Sequence, residues 1–493
     1  MNAFTLILYT CVLFSVSHGG ILDWFTEKVR SVKKFGFETW NRDKPSKSLY
    51  GFLDVDVNPC DNFYKFTCGN WIRTKELENK DYKSFHLDVS STNINKFLEE
   101  ALDEKYNEES PAIQNFYNLY KKCKKLPEDQ IVNCESEILN FGTYALSSLY
   151  LKKNKIRYEK DTEFQMLKHL IYSRVKDEVK LLIDEKKELF DEETRNNFLH
   201  KLDSMKVVTS YDKYNISNVE LMEECYKNNE FLIINSNIEG VLGNLKVHKD
   251  KFKNHTKGDL SSCEEKLFYP MEILKPYVTK KGWYDSKKNT LYINLDALDE
   301  PSFSKDFPSS LNYGGVGYIL SHIMMHAFDS DNYNSKYEGD NENKFNVTQF
   351  SMGNYKEKSD CFVKQYGMQK ESITNKSING LLTLAENIAD NGGLKIAHRA
   401  YMKYLQSIGG NDIGIPAYKD YTNEQLFFIS FGRTYCEYSS KDILKERIKT
   451  DHHTPGEIRT NVALSNYKPF TDAFKCPVKS KMNPENKCEL FKN

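Results

Sequence analysis

Through residues 85 to about 275 apolar positions recur every three or four residues, with charged side chains between them, as in 97–106, 113–126 and 164–179. That spacing predicts long amphipathic helices and a largely α-helical lobe. Around 284–295 the pattern shortens, and Thr290, Leu291, Tyr292, Ile293 and Asn294 alternate as a short strand would. The change sets an expected boundary near residue 270, with a helical lobe over 51–270 and a second lobe over 271–493. The fold class expected is mainly α with a small β component, in two lobes. Two further stretches stand out. Residues 314–331, GGVGYILSHIMMHAFDSD, form an apolar helix entered through two glycines, and residues 381–393, LLTLAENIADNGG, have the pattern of a buried helix.

In the first stretch Ile319, His322, Ile323 and His326 fall at i, i+3, i+4 and i+7, on one helical face. Two imidazoles one turn apart can grip one metal ion. The spacing alone is weak: with 11 His in 493 residues, roughly 0.25 such pairs arise by chance, so the context has to support it. Two hydrogen-bonded core histidines would otherwise be the simpler account. In the second stretch Glu386 and Asp390 share a face within an apolar run, and buried carboxylates are costly unless paired or metal-bound. Either can ligate a metal while the other accepts the N–H of a ligating His. Two His and one Glu form a catalytic zinc set with a fourth position left for water. Near the C-terminus, His453 and Arg459 follow Lys449–Asp451 in KTDHHTPGEIR and could stabilise an oxyanion beside such a site. On spacing alone the His pair before Pro455 reads equally as a loop.

The N-terminus carries an apolar run over 4–16 followed by small residues. It is too short for a membrane span and reads as a secretory signal peptide over 1–19, followed by a polar lead-in over 20–50. No later stretch reaches the roughly 20 apolar residues of a membrane helix. Ten cysteines remain after Cys11 is removed, an even number that fits five disulfides in a secreted chain. Sequons at Asn215, Asn254, Asn346 and Asn375 fit the same compartment. A net charge of −1, from 69 basic and 70 acidic residues, leaves no nucleic-acid footprint.

Taken as a set, five strings resemble the neprilysin-like zinc metallopeptidases, including endothelin-converting enzymes. They are NPCDNFYKFTCGNW (58–71), FSKDFPSSLNYGGVGYILSHIMMHAFD (303–329), TLAENIADNGG (383–393), IKTDHHTPGEIRTN (448–461) and FKCPVKSKMNPENKC (474–488). The resemblance implies a two-lobed, mainly helical fold with a thermolysin-like zinc lobe and one Zn²⁺. It implies that His322, His326 and Glu386 ligate the metal and that Asp390 and Asp329 orient the two imidazoles. His453 and Arg459 match the transition-state His and the substrate-bracing Arg. It also implies disulfides Cys60–Cys476, Cys68–Cys436, Cys361–Cys488 and Cys123–Cys263, which leaves Cys134 with Cys225.

The departures from the family pattern carry as much weight. Ile323 stands where the family has its general-base Glu. Lys281-Gly282-Trp283-Tyr284 replaces the substrate-gripping Asn-Ala-x-Tyr strand, and Asp81 stands near an early position expected to be basic. The chain is also short for the family, with the shortfall between Cys123 and Cys263, so that the helical lobe is reduced. Removing the Glu strands both proton transfers, typically worth about 10²–10⁴-fold. The expected function is therefore a secreted zinc-binding pseudo-peptidase that binds peptides or a partner protein. Two alternatives stay open: an active zinc metalloendopeptidase cleaving small extracellular peptides, and a structural secreted protein.

Overall fold

Short polar side chains start many of the helices. Ser110 accepts from the Ile113 N–H with Pro111 in the first turn, Asp191 accepts from Thr194, Asn218 from Leu221 and Thr348 from Ser351. Thr422 and Gln425 form a reciprocal capping box. Each satisfies a backbone donor that a helix end leaves unpaired. The chain, a computed structural model, is described over residues 44–78, 86–88, 97, 100–160, 162–209, 212, 214–234, 236–252, 262–268, 282–293, 300–338, 340 and 345–491. The expected signal peptide, most of the lead-in, Asp81, Asn254, Lys281 and the boundary near 270 lie outside the described residues.

The helices run α1 (Lys44–Tyr50), α2 (Phe63–Glu78), α3 (Pro111–Cys123), α4 (Glu128–Lys160), α5 (Thr162–Glu185) and α6 (Glu192–Asp203). They continue with α7 (Val219–Asn228), α8 (Ile238–Phe252), α9 (Cys263–Phe268), α10 (Ser309–Asn312), α11 (Tyr318–Met325) and α12 (Gln349–Gly367). Last come α13 (Leu384–Ser407), α14 (Asn423–Arg433), α15 (Lys441–Thr450), α16 (Gly456–Asn466) and α17 (Lys468–Ala473). Strand content is small, as expected. β1 (His86–Asp88) pairs antiparallel with β5 (Glu437–Ser439). β2 (Lys206–Val208) runs parallel to β4 (Thr290–Ile293), which pairs antiparallel with β3 (Gly282–Asp285) in the order β2-β4-β3. The alternating stretch read from the sequence is β4.

Two large buried clusters organise the molecule. One holds Phe116, Ile138, Tyr144, Met222, Val241 and Leu267, from α3, α4, α7, α8 and α9. The other holds α11 and α13 through Ile319, Ile323, Met324, Ile388 and Ile396, with Phe63 of α2 and Phe427 of α14. Val175 and Val179 of α5 and Phe198 of α6 belong to this second cluster, with α11 and α13. A small third cluster, with Tyr64, Trp71 and Tyr438, surrounds one of the disulfides.

Three disulfides are those the resemblance implied: Cys60–Cys476, Cys68–Cys436 and Cys361–Cys488. The other two correct the expectation. Cys123 pairs with Cys134 and Cys225 with Cys263, in place of Cys123–Cys263 and Cys134–Cys225. The reason is local geometry. α3 ends at Cys123 and α4 starts at Glu128, so the helical hairpin brings Cys134 back to a Cα–Cα distance of 5.6 Å. That is within disulfide reach. Of the sequons, Asn215, Asn346 and Asn375 are exposed. Among the described residues no helix is long and apolar enough to cross a membrane.

Candidate metal centre

The centre is built at one helix crossing. A π-helical turn, Tyr313–Gly317, leads into α11, and two of its glycines are required by close approach. A Cβ on Gly314 would meet the Phe427 carbonyl oxygen at 2.2 Å, and one on Gly315 the Ser302 carbonyl oxygen at 2.1 Å. α13 then passes directly over α11. A Cβ on Gly393 would lie 2.8 Å from the backbone N and Cα of His322, and one on Gly392 would lie 2.9 Å from Met325 Cε. At Gly393, whose nearest neighbours are backbone atoms, only a residue without a side chain allows this contact. Glu386 and Asp390, about two turns and less than one turn before that point, are thereby laid against His322 and His326.

Three side chains converge. His322 Nε2 lies 3.2 Å from His326 Nε2 and 3.4 Å from Glu386 Oε2, and His326 Nε2 lies 3.5 Å from Glu386 Oε1. Metal–ligand bonds near 2.0–2.1 Å at tetrahedral angles require ligand atoms about 3.3 Å apart. The three residues therefore fit a zinc ion, and they form a group that could hold one. The surroundings match. His326 Nδ1 donates to Asp329 Oδ2 at 2.7 Å, and His322 Nδ1 sits 2.9 Å from Asp390 Oδ1. Asp329 Oδ1 is fixed in turn by the N–H groups of Asp331 and Asn332.

The basic residues expected from the sequence reach the same place. Arg459 donates through Nε to Asp390 Oδ2 at 2.8 Å and through Nη2 to Asp390 Oδ1 at 2.6 Å and Glu386 Oε2 at 3.1 Å. His453 Nε2 lies 3.2 Å from Glu386 Oε1, and its Nδ1 donates to Asp451 Oδ1 at 2.7 Å. His452 instead points to the Leu382 carbonyl and is exposed. The charges reinforce one another. Burial alone would raise the Glu386 carboxyl, but His326 and His453 hold it well below the ordinary carboxylate range. Burial likewise opposes ionisation of Asp390, and the Arg459 guanidinium overcomes it. His453 is raised to about 9: burial works against its charge, and the Glu386 and Asp451 carboxylates more than offset that.

Ile323 is 3% exposed and belongs to the core beneath the site. Its Cδ1 lies where a Cβ on Gly282 of β3 would meet it at 2.5 Å. The side chain thus packs against the strand that stands in the expected substrate-gripping position. Several participants were not read from the sequence. Tyr318 and Tyr435 donate to Asp390 Oδ1 at 2.9 and 2.7 Å, and Asp451 holds His453. Lys201 of α6 donates to the carbonyls of Ala327 and Asn332, in the turn that carries Asp329, at 2.9 and 2.8 Å. Only the Gly-Gly pair in 383–393 was a visible signal, and it marks the crossing.

A mainly helical fold with two histidines of one helix and a glutamate of another on a common metal position defines a centre of the mononuclear zinc-peptidase class. Sequence models of Peptidase family M13 match residues 59–133 and 281–490, together more than half of the chain. The chain belongs to Peptidase family M13. It is 29% identical to Neprilysin-1 of Caenorhabditis elegans over 384 residues, 76% of this chain and 47% of that protein. It is 35% identical to human Neprilysin over 275 residues, 56% of this chain and 34% of that one. These matches take in less than half of each relative's length. A solved structure of the Mycobacterium tuberculosis zinc metalloprotease in an open state resembles the chain in fold, with TM-score 0.50 and 19% identity, covering 73% of this chain and 52% of that chain.

Proposed function

We propose that the protein is a secreted, zinc-binding pseudo-peptidase of this family, which uses its metal lobe to hold peptides or a protein partner without cleaving them. The observation that carries the reading is Ile323. A general base has to stand within hydrogen-bond reach of the proton it removes. The position next to His322 instead holds a hydrocarbon side chain packed against β3.

His322, His326 and Glu386 would hold the ion, with Asp329 and Asp390 turning the imidazoles toward it. A bound zinc supplies Lewis acidity and lowers the pKa of water. Around it, His453 and Arg459 present N–H donors to an incoming carbonyl oxygen or carboxylate, and Asp451 keeps His453 aimed. These groups bind and orient. None of them replaces a carboxylate that first accepts and then returns a proton. The five disulfides and the exposed sequons at Asn215, Asn346 and Asn375 support an extracellular setting.

The test is zinc content and cleavage of a peptide library by the purified protein, run beside Ile323→Glu. The expected result is about one zinc per chain and no cleavage by the natural protein. Activity gained by Ile323→Glu would identify an otherwise intact site. Chelator-sensitive cleavage by the natural protein would sink the reading in favour of an active zinc metalloendopeptidase. A chain that takes up no zinc would favour a structural role.

A further inference from the structure

Asp390 has no exposed surface and receives more donors than a carboxylate needs merely to orient an imidazole. Oδ2 accepts from Arg459 Nε. Oδ1 accepts from Arg459 Nη2 at 2.6 Å, from the Tyr435 hydroxyl at 2.7 Å and from the Tyr318 hydroxyl at 2.9 Å. The two hydroxyls also touch each other. A carboxylate offers about four lone-pair sites over its two oxygens, so Oδ1 is crowded. His322 bears the consequence. Its Nδ1 lies 2.9 Å from Oδ1 but out of line for a hydrogen bond, and it is buried with no other acceptor. The companion histidine differs: His326 Nδ1 makes an in-line bond to Asp329 Oδ2 at 2.7 Å.

An acid on the outer N–H of a ligating imidazole fixes the ring and raises its basicity. We propose that the Tyr318–Tyr435 hydroxyl pair competes with His322 for Asp390 Oδ1 and thereby sets how tightly this centre holds zinc. Both tyrosines are positioning residues, acting on the metal through Asp390 and His322. The inference rests on the zinc-binding part of the proposed function and is independent of whether the protein cleaves peptides. Both phenols remain donors throughout the accessible pH range. Burial and then the Asp390 charge push Tyr318 far up, and burial does the same to Tyr435 against the pull of Arg459.

Removing a hydroxyl leaves Oδ1 to Arg459 and His322, and the imidazole N–H can then swing into line. The experiment measures zinc affinity of the full chain by competition with a chromophoric chelator, for the natural protein, Tyr318→Phe, Tyr435→Phe and the double variant. The visible spectrum of the cobalt-substituted site serves as a second readout. Losing the partner that holds a metal-ligating histidine typically changes metal affinity about 10–100-fold. The expected result is a gain of about twofold to threefold for each single variant and about tenfold for the double, with a shifted cobalt spectrum. Asp390→Asn should move the affinity the other way.

Damage to packing can only loosen the metal, so a gain separates this role from a structural one. Unchanged or weaker zinc binding in the double variant, with about one zinc still bound by the natural protein, overturns the tyrosine role and leaves the proposed function standing. A natural protein that binds no zinc overturns both.

Discussion

Lys201 donates to the carbonyls of Ala327 and Asn332 from a position with no exposed surface, and its ammonium lies 4.9 Å from the Phe345 ring centre. Burial pushes it down to about 7 from the ordinary 10.5, against the opposing pull of the Asp329 carboxylate. The sign of the effect on stability follows. Between pH 7 and 10.5 the unfolded chain keeps a proton that the folded chain has released, so stability rises with pH across that window. Below pH 7 both states hold the proton and the penalty is constant. Relative to Lys201→Met, the natural protein should gain on the order of 1 kcal/mol per pH unit between pH 7.5 and 9.5. Urea melts at several pH values measure this, and parallel curves for the two proteins would refute it. Lysine 201 also shows where residue-level reading stops. His322, His326, Glu386 and Asp390 could be picked out because each pair lies four residues apart on one helix, and periodicity exposes such pairs. The partners of Tyr318 and Lys201 lie 72, 117 and 126 residues away, and no local pattern encodes them.

At the scale of elements, the centre depends on how closely α13 can approach α11. The helices themselves were legible, because an apolar 3.6-residue repeat produces one whatever it later packs against. Their crossing was not, although Gly392 and Gly393 stand at the point of contact. The parallel pairing of β2 with β4 was equally hidden, since β2 has three residues and no alternating pattern of its own. Gly393→Ala tests the crossing. Its new Cβ would fall 2.8 Å from His322 backbone atoms, which are not the flexible end of a side chain. The helices must separate, at a cost of about 1–3 kcal/mol, typical of an overpacked core. Thermal unfolding should report the loss and a chelator titration should show weaker zinc. Gly353→Ala, which lies inside α12 and where a Cβ meets nothing within 4 Å, provides a control that should leave zinc binding unchanged and raise stability by up to about 1 kcal/mol.

For the molecule as a whole, the two bridges Cys60–Cys476 and Cys68–Cys436 tie α2 to the α14–α17 region across 416 and 368 residues of sequence. Packing follows the same connection: Phe63 contacts Phe470 and Phe474, and Tyr64 donates to the Glu437 carbonyl. These two pairs were legible only through the resemblance to a known family. For Cys123, Cys134, Cys225 and Cys263 the same resemblance misled, because the bridges close between neighbouring helices rather than across the chain. Replacing Cys68 and Cys436 by Ser should cost about 2–5 kcal/mol, as loss of a native bridge does. Limited proteolysis should then cut first near α2, and an unchanged digestion pattern would argue against the bridge as the fastening. This long-range closure also bears on synthesis. Residues 44–78 are made before Cys476 and Cys436, which follow their partners Cys60 and Cys68 by 416 and 368 residues. Until those residues exist, Cys60 and Cys68 stay free thiols and Phe63 lacks its contacts with Phe470 and Phe474. The local Cys123–Cys134 and Cys225–Cys263 bridges can therefore close before α2 is fastened, and thiol oxidation of the maturing chain should proceed in that order.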